Sequence, residues 1–365
     1  MHICLVSFEA LSILLPGYEY HRTGGEQVQV SLLAKALARR GWRVTVVVFD
    51  YGQPDEVIYE GIRVVKIYAP RDGLPVVRFF FPRVFKLWKA LRKVDADVYY
   101  TSCAGYQVGI LSFFCRCYNK RSVFRIANDK DCSPNQLGIN LWRDRQLYSY
   151  GLKNQDCILC QSIQQRQALK RNFNVDSVIA GMLVEAPGNI LPFISRDIDI
   201  LWVNNFRYHK RPDLALQLAQ LLPEVNIHII GGPNDAMLYQ EIKEKALCIN
   251  NIVFHGPVPY RDMDKFYSRA KVLVNTSDVE GFPNSYLQSW IRGTPVVTFF
   301  DPDDIIATNG LGFKAADISD MVDLLVSLLD DYDLWDNLSK KCIDYVAINF
   351  SEENVLKPYL NVLSI

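Results

Sequence analysis

Apolar residues fall into two patterns along this chain, and the two alternate. Short unbroken apolar runs read as buried strands: residues 2–7, 43–49, 62–68, 97–101, 122–126 and 157–160. Between strands lie segments with helical spacing. Residues 26–40 place Val28, Leu32, Leu33, Ala36 and Leu37 on one face, and Gly41 closes that helix. The alternation lapses at Ala186-Pro187-Gly188-Asn189 through Pro192, where no period is visible and a linker is expected. It then restarts. Strands are expected at residues 198–204, 225–230, 252–255, 272–276, 295–299 and 313–315. Helices are expected at 212–222, with Pro at the first turn, at 235–246 and 260–269, and from Ser319 onward.

Strand–helix alternation is the mark of parallel sheets with helical crossovers. Two such runs predict two Rossmann-like α/β domains with a ligand cleft between them, at the carboxyl ends of the strands. The length of 365 residues agrees with two domains. The expected limits are 1–187 and 188–349, with a last helix over 350–365 packing back on the first domain.

Composition narrows the class. Lys+Arg and Asp+Glu both number 40, which argues against a general nucleic-acid binder, since that needs a basic excess. The nine cysteines show no metal-ligand spacing beyond the single Cys157/Cys160 pair and read as reduced thiols of a cytoplasmic protein. Residues 1–7 read as a strand and not as a signal peptide. No uncharged apolar stretch reaches the length of a membrane span.

Chemistry is expected on the loops that follow strands. Thr23-Gly24-Gly25-Glu26 opens a helix, so it is either a phosphate-accepting start or a plain tight turn. It lacks the G-x-G-x-x-G spacing of dinucleotide sites. Asn205-Phe206-Arg207-Tyr208-His209-Lys210-Arg211 gathers cations ahead of a helix. It suits either a departing diphosphate or solvent. Gly231-Gly232-Pro233 is a close-approach turn or a simple connector. Glu280-Gly281-Phe282-Pro283-Asn284-Ser285 carries one acid before a helix. Its Glu280 can accept from sugar hydroxyls, its first-turn amides suit phosphate, and Gln288 one face below suits a ribose.

These residues resemble the family 4 glycosyltransferases, retaining enzymes of the GT-B fold. That family carries Glu-Gly-Phe, a second Glu eight positions after the first, and Gly-x-Pro-Val-Val. The chain has Glu280-Gly281-Phe282 and Gly293-Thr294-Pro295-Val296-Val297. Val253-Phe254-His255-Gly256, Gly231-Gly232-Pro233 and the Gly24-Gly25 loop follow in family order. The resemblance implies a nucleotide-sugar donor held by Gly24, Gly25, Asn205, Arg207, Lys210, Gly232, Glu280 to Ser285, and Gln288. It implies no metal or other cofactor.

Three positions depart from the family. Gln288 stands at the second Glu, Asn205 at the usual diphosphate-binding Arg, and 125–131 has no His, so Asp129 is the candidate replacement. Asp129-Lys130-Asp131 is also a D-x-D, which elsewhere holds a divalent ion, but the GT-B resemblance points away from that role. The catalytic candidates are therefore Glu280, Lys210 and Asp129. Two rivals share the fold: a nucleotide-sugar epimerase and a non-catalytic nucleotide-sugar-binding subunit.

Residues 76–93 join aromatics to Lys and Arg with no acid. They are either an interfacial segment for anionic lipid or a helix packed on the sheet. The first reading implies a peripheral contact at the inner face of the cytoplasmic membrane and a glycan or lipid-linked acceptor.

Overall fold

The computed structural model describes residues 1–18, 24–75 and 77–364. Thr23 of the glycine loop and Val76 of the cationic segment lie outside the described residues. The chain divides into two units. One takes Met1–Leu183 together with the helix Glu352–Leu363, and the other takes Val184–Ser351.

The first unit is built on eight strands: β1 (His2–Val6), β2 (Arg43–Val48), β3 (Glu56–Tyr59), β4 (Ile62–Lys66), β5 (Val98–Ser102), β6 (Arg121–Arg125), β7 (Cys157–Cys160) and β8 (Val178–Ile179). Their order is β3-β4-β2-β1-β5-β6-β7-β8. All pairs are parallel except β3 with β4. β1 is buried along its whole length, as a strand covered on both faces must be, and sets Ile3 beside Val44 and Leu5 beside Val46. The crossover helix Gly25–Arg39 buries Val28, Leu32, Leu33, Ala36 and Leu37, the stripe read from the sequence. Two helices, Tyr106–Tyr118 and Trp142–Asn154, pack together through glycines. A methyl on Gly109 would lie 2.2 Å from the carbonyl oxygen of Leu147.

The second unit has six parallel strands: β9 (Ile198–Val203), β10 (Ile227–Ile230), β11 (Ile252–Gly256), β12 (Ala270–Asn275), β13 (Val296–Thr298) and β14 (Gly312–Lys314). Their order is β11-β10-β9-β12-β13-β14. The order in which successive strands are added therefore reverses at β1 in the first sheet and at β9 in the second. Crevices at such points are where α/β sheets take ligands.

The break between units falls at Leu183–Val184, ahead of residue 187 where composition placed it. The buried Arg196 explains why the following stretch goes with the second unit. It donates to the carbonyls of Leu191, Ala270 and Arg292 and to Thr294 Oγ1, at 2.6 to 2.9 Å. At the other end, Arg39 and Arg40 both pair with Glu352, and Tyr359 donates to the carbonyl of Gly181, which ties the last helix to the first unit.

Candidate active site

The two loops richest in candidate chemistry leave neighbouring strands. Residues 204–211 follow β9 and residues 276–283 follow β12, on either side of the switch point. Their closure is specified by local hydrogen bonds. The indole Nε1 of Trp202 donates to Thr276 Oγ1 at 2.9 Å. The Thr276 hydroxyl lies 2.8 and 2.9 Å from the carbonyl oxygens of Lys210 and Arg211. The Asp278 amide donates to the carbonyl of His209 at 2.9 Å.

That clasp brings Lys210 and Glu280 into a direct ion pair, and both side chains are largely buried. The other carboxylate oxygen, Oε1, accepts from Ser277 Oγ at 2.8 Å and from Asn275 Nδ2 at 3.4 Å. Burial pushes the Glu280 carboxyl up. The Lys210 ammonium and the hydrogen bonds outweigh burial and hold it below the usual glutamate range. The sequence paired neither residue with the other. They are seventy positions apart, and only adjacent parallel strands join them.

The remaining donor candidates separate by what they touch. Arg207 is exposed at the start of a 3-10 turn, and Arg211 is engaged by Asp213 and Asp278. Asn205 Oδ1 accepts from the Gly232 amide at 3.1 Å, so the residue at the family's arginine position braces the 231–232 turn. Gly231 has a structural role, because a methyl there would lie 1.8 Å from the carbonyl oxygen of Asn204. Phe282 turns its ring inward, with centroids 6.2 Å from Trp290 and 5.7 Å from Phe350. Pro283 precedes the helix Asn284–Trp290, which carries Asn284 and Ser285 in its first turn. Gln288 faces inward as well. Its Oε1 accepts from Arg292 at 3.0 Å and its Nε2 donates to the Tyr260 hydroxyl at 3.2 Å. Arg292 is anchored in turn by Asp264 at 2.6 Å. Gly293 ends this segment at φ +66°, where a methyl would lie 2.4 Å from Ser339 Oγ.

In the first unit the D-x-D motif divides its labour. Asp131 turns back to accept from the amides of Ala127 and Asn128, at 3.3 and 3.1 Å, as half of a capping box. Burial pushes its carboxyl up to about 6. Asp129 Oδ1 accepts from Gln165 Nε2 at 2.8 Å. The two acids are therefore committed to different partners. Among the described residues no group of three or more His, Cys, Asp or Glu side chains could hold a metal ion.

Gly24 caps the helix at Gly25, and the next residue, quoted with the loop, was given no role of its own from sequence. Glu26 Oε2 accepts from Ser7 Oγ at 3.1 Å, while Oε1 is buried with no partner among the described residues. Burial pushes this carboxyl up to about 8. Arg125, at the end of β6, is 1% exposed. Its Nε and Nη2 have no partner among the described residues, and the guanidinium hydrogen-bonds to Tyr359. An acid in the first turn of a helix is ordinary, so only the fold could show that these two groups are buried in the same unit.

Two α/β units built on largely parallel sheets, each with its loop chemistry at a strand-order reversal, are the architecture of the GT-B fold. Residues 23–180 match the model of Glycosyltransferase Family 4, and residues 189–346 match that of Glycosyl transferases group 1. The matches run in succession through most of the chain, which belongs to these glycosyltransferases. Solved structures agree on the fold. Sucrose-phosphate synthase from Thermosynechococcus elongatus superposes with a TM-score of 0.79 at 18% identity, over 100% of this chain and 98% of that one. The catalytic domain of starch synthase IV from Arabidopsis thaliana, bound to ADP and acarbose, gives 0.73 at 12% identity, over 100% and 99%. WaaG, a glycosyltransferase involved in lipopolysaccharide biosynthesis, gives 0.71 at 14% identity, over 100% and 99%. No curated protein matches the chain in sequence.

Proposed function

We propose that the chain is a retaining glycosyltransferase that moves a sugar from a nucleotide-sugar to an acceptor hydroxyl, in the synthesis of a surface polysaccharide or glycoconjugate. The buried Lys210–Glu280 pair carries this reading. Without donor, each charge neutralises the other. A diphosphate entering beside Lys210 competes for the ammonium and releases Glu280 to accept hydrogen bonds from the sugar. Lys210, with Arg207 and the amides of Asn284 and Ser285, then stabilises the departing diphosphate. Gly281 and the Gly232 turn let the donor approach the backbone, and Gln288 bonds the ribose. Gly24 and Gly25 of the first unit contribute to the diphosphate site. Asp129 of the first unit is the candidate acceptor-side group. The acceptor hydroxyl attacks on the face from which the diphosphate leaves, giving net retention.

Fixed cations do the work a metal does elsewhere, so transfer is expected to persist undiminished in EDTA. The acceptor is a glycan or a lipid-linked glycan, met at the cytoplasmic face of a membrane through residues 76–93. The deciding experiment is transfer from radiolabelled nucleotide-sugars by the wild type and by Glu280→Gln, alongside thermal shifts with nucleoside diphosphates. The variant should keep the nucleotide shift and lose transfer. Full transfer by Glu280→Gln would remove Glu280 from the mechanism. Turnover of donor with no acceptor present would indicate an epimerase.

A further inference from the structure

The helix Phe85–Val94 satisfies its packing with one face. Leu87, Ala90, Leu91 and Val94 are buried in the core of the first unit. The aromatics on its other side and just before it are surplus to that packing. Phe80 is 69% exposed, Phe81 60% and Phe85 58%. The apolar surface continues onto the helix Tyr106–Tyr118. Trp88 meets Phe113 at 5.8 Å and Tyr118 at 6.0 Å between ring centroids, and Phe113 is itself 51% exposed. The packing reading of this segment holds for one face, and the other face is left exposed.

A groove of about 650 Å³ opens on the outer face. It is lined by Phe80, Val84, Phe85 and Trp88 together with the cations Lys89, Arg92 and Lys93. Residues 77–94 contain no acid. Lys93 reaches Glu56 at 3.7 Å, but that carboxylate is already held by Arg63 at 2.6 Å. Lys89 and Arg92 meet no carboxylate among the described residues, and Arg92 lies over the Tyr118 ring at 5.8 Å. Among the described residues no helix is long and apolar enough to cross a membrane, so any membrane contact through this face is peripheral.

We propose that this groove seats the chain on a bilayer containing anionic phospholipid. Lys89, Arg92 and Lys93 meet the phosphates, and Phe80, Phe85 and Trp88 enter the acyl boundary. Aromatics flanked by cations are the composition such an interface selects. A second copy of the chain is disfavoured as the occupant, because a two-fold contact would set the three cations against their own images. The inference rests on the reading that the acceptor is met at a membrane, and it names the residues and the lipid charge that bring the chain there.

The test is co-sedimentation of the full chain with vesicles of phosphatidylcholine alone and of phosphatidylcholine mixed with phosphatidylglycerol. The wild type should bind the anionic vesicles and leave the neutral ones. Lys89→Gln/Arg92→Gln/Lys93→Gln should weaken anionic binding by about two orders of magnitude, about fivefold for each cation. Phe80→Ser/Phe85→Ser should weaken it by at least about tenfold, as expected from the apolar area removed. Both variants alter exposed side chains, and unchanged far-UV circular dichroism establishes that they fold. Equal binding to both vesicle types, no binding, or binding unmoved by either variant overturns the inference. So does light scattering that shows a dimer dissolved by the phenylalanine variant. Thermal shifts with nucleoside diphosphates on the same samples keep the two readings apart. A shift without vesicle binding removes only the membrane contact, and vesicle binding without a shift removes only the transferase reading.

Discussion

Each unit buries one glutamate beside its strand-order reversal, Glu26 in the crossover helix that follows β1 and Glu280 in the loop that follows β12, and their surroundings shift the two carboxyls in opposite directions. In the second unit Glu280 meets the Lys210 ammonium, Ser277 and Asn275, and stays ionised despite burial. In the first unit Glu26 has one hydroxyl on one oxygen and no partner among the described residues on the other, and burial carries it up to about 8. The same desolvation acts on both, so the partners decide the outcome. The second unit presents a charged pair that an anionic ligand can exchange into. The first presents an acid that burial shifts toward its protonated form.

Breaking the second pair should give the largest effect. Lys210→Ala leaves Glu280 buried without its counter-charge, which costs about 3–5 kcal/mol. It also removes a cation from the departing diphosphate, and transfer should fall by roughly 100- to 1000-fold. Urea unfolding and a transfer assay measure the two losses separately. Lys210→Met/Glu280→Gln should regain most of the stability, because no lone charge remains, and none of the activity. If the double variant is as unstable as Lys210→Ala, the loop clasp and not the charge pair was lost.

The first unit is probed through pH. Glu26 folds with its pKa raised from 4.5 to about 8, so folding takes up a proton between those values. Stability attributable to this group therefore falls as pH rises through that window, by up to about 1.4 kcal/mol per pH unit, and is level above and below it. Glu26→Gln should remove this slope. Asp131, pushed up to about 6, contributes in the same direction, but it is common to both proteins and cancels in the difference. Urea unfolding of wild type and variant from pH 5 to 8 reads that difference. Parallel curves would mean that Glu26 is solvated and ionised like any surface acid.

Sequence pattern located most of the strands because parallel strands are buried on both faces and read as unbroken apolar runs. It missed β3, an exposed edge strand with no buried face to mark it. It left the helix Tyr106–Tyr118 unassigned, since Val108, Ile110, Leu111, Phe114 and Cys115 are all buried and blur the helical period. At the site, Glu280 and Lys210 were legible as residues through the family pattern, but their pairing was not, because strand order alone creates it. The motif glycines were legible as turns and family-pattern positions, yet Gly231 and Gly293 owe their lack of a side chain to neighbouring protein atoms. Glu26 and Arg125 carried no signal, since nothing in a lone Glu or Arg reports that it will be buried.

The smallest expected effect falls at Gln288, between the two extremes of Glu26 and Glu280. Its amide is neutral and already engaged by Arg292 and Tyr260, which leaves one N–H to offer a ribose hydroxyl. Arg292 would keep Asp264 and the backbone carbonyl of residue 288 after truncation, so Gln288→Ala should cost only about 1 kcal/mol of stability. One lost hydrogen bond to the donor should raise its KM about fivefold with kcat unchanged. Gln288→Glu sharpens the comparison. The introduced carboxyl would face Arg292 as Glu280 faces Lys210, and should stay ionised and accept from the ribose. The donor KM should then return to within a few-fold of wild type. If Gln288→Ala leaves the donor KM unmoved and lowers stability alone, Gln288 is a strut for Arg292 and the ribose is bound elsewhere.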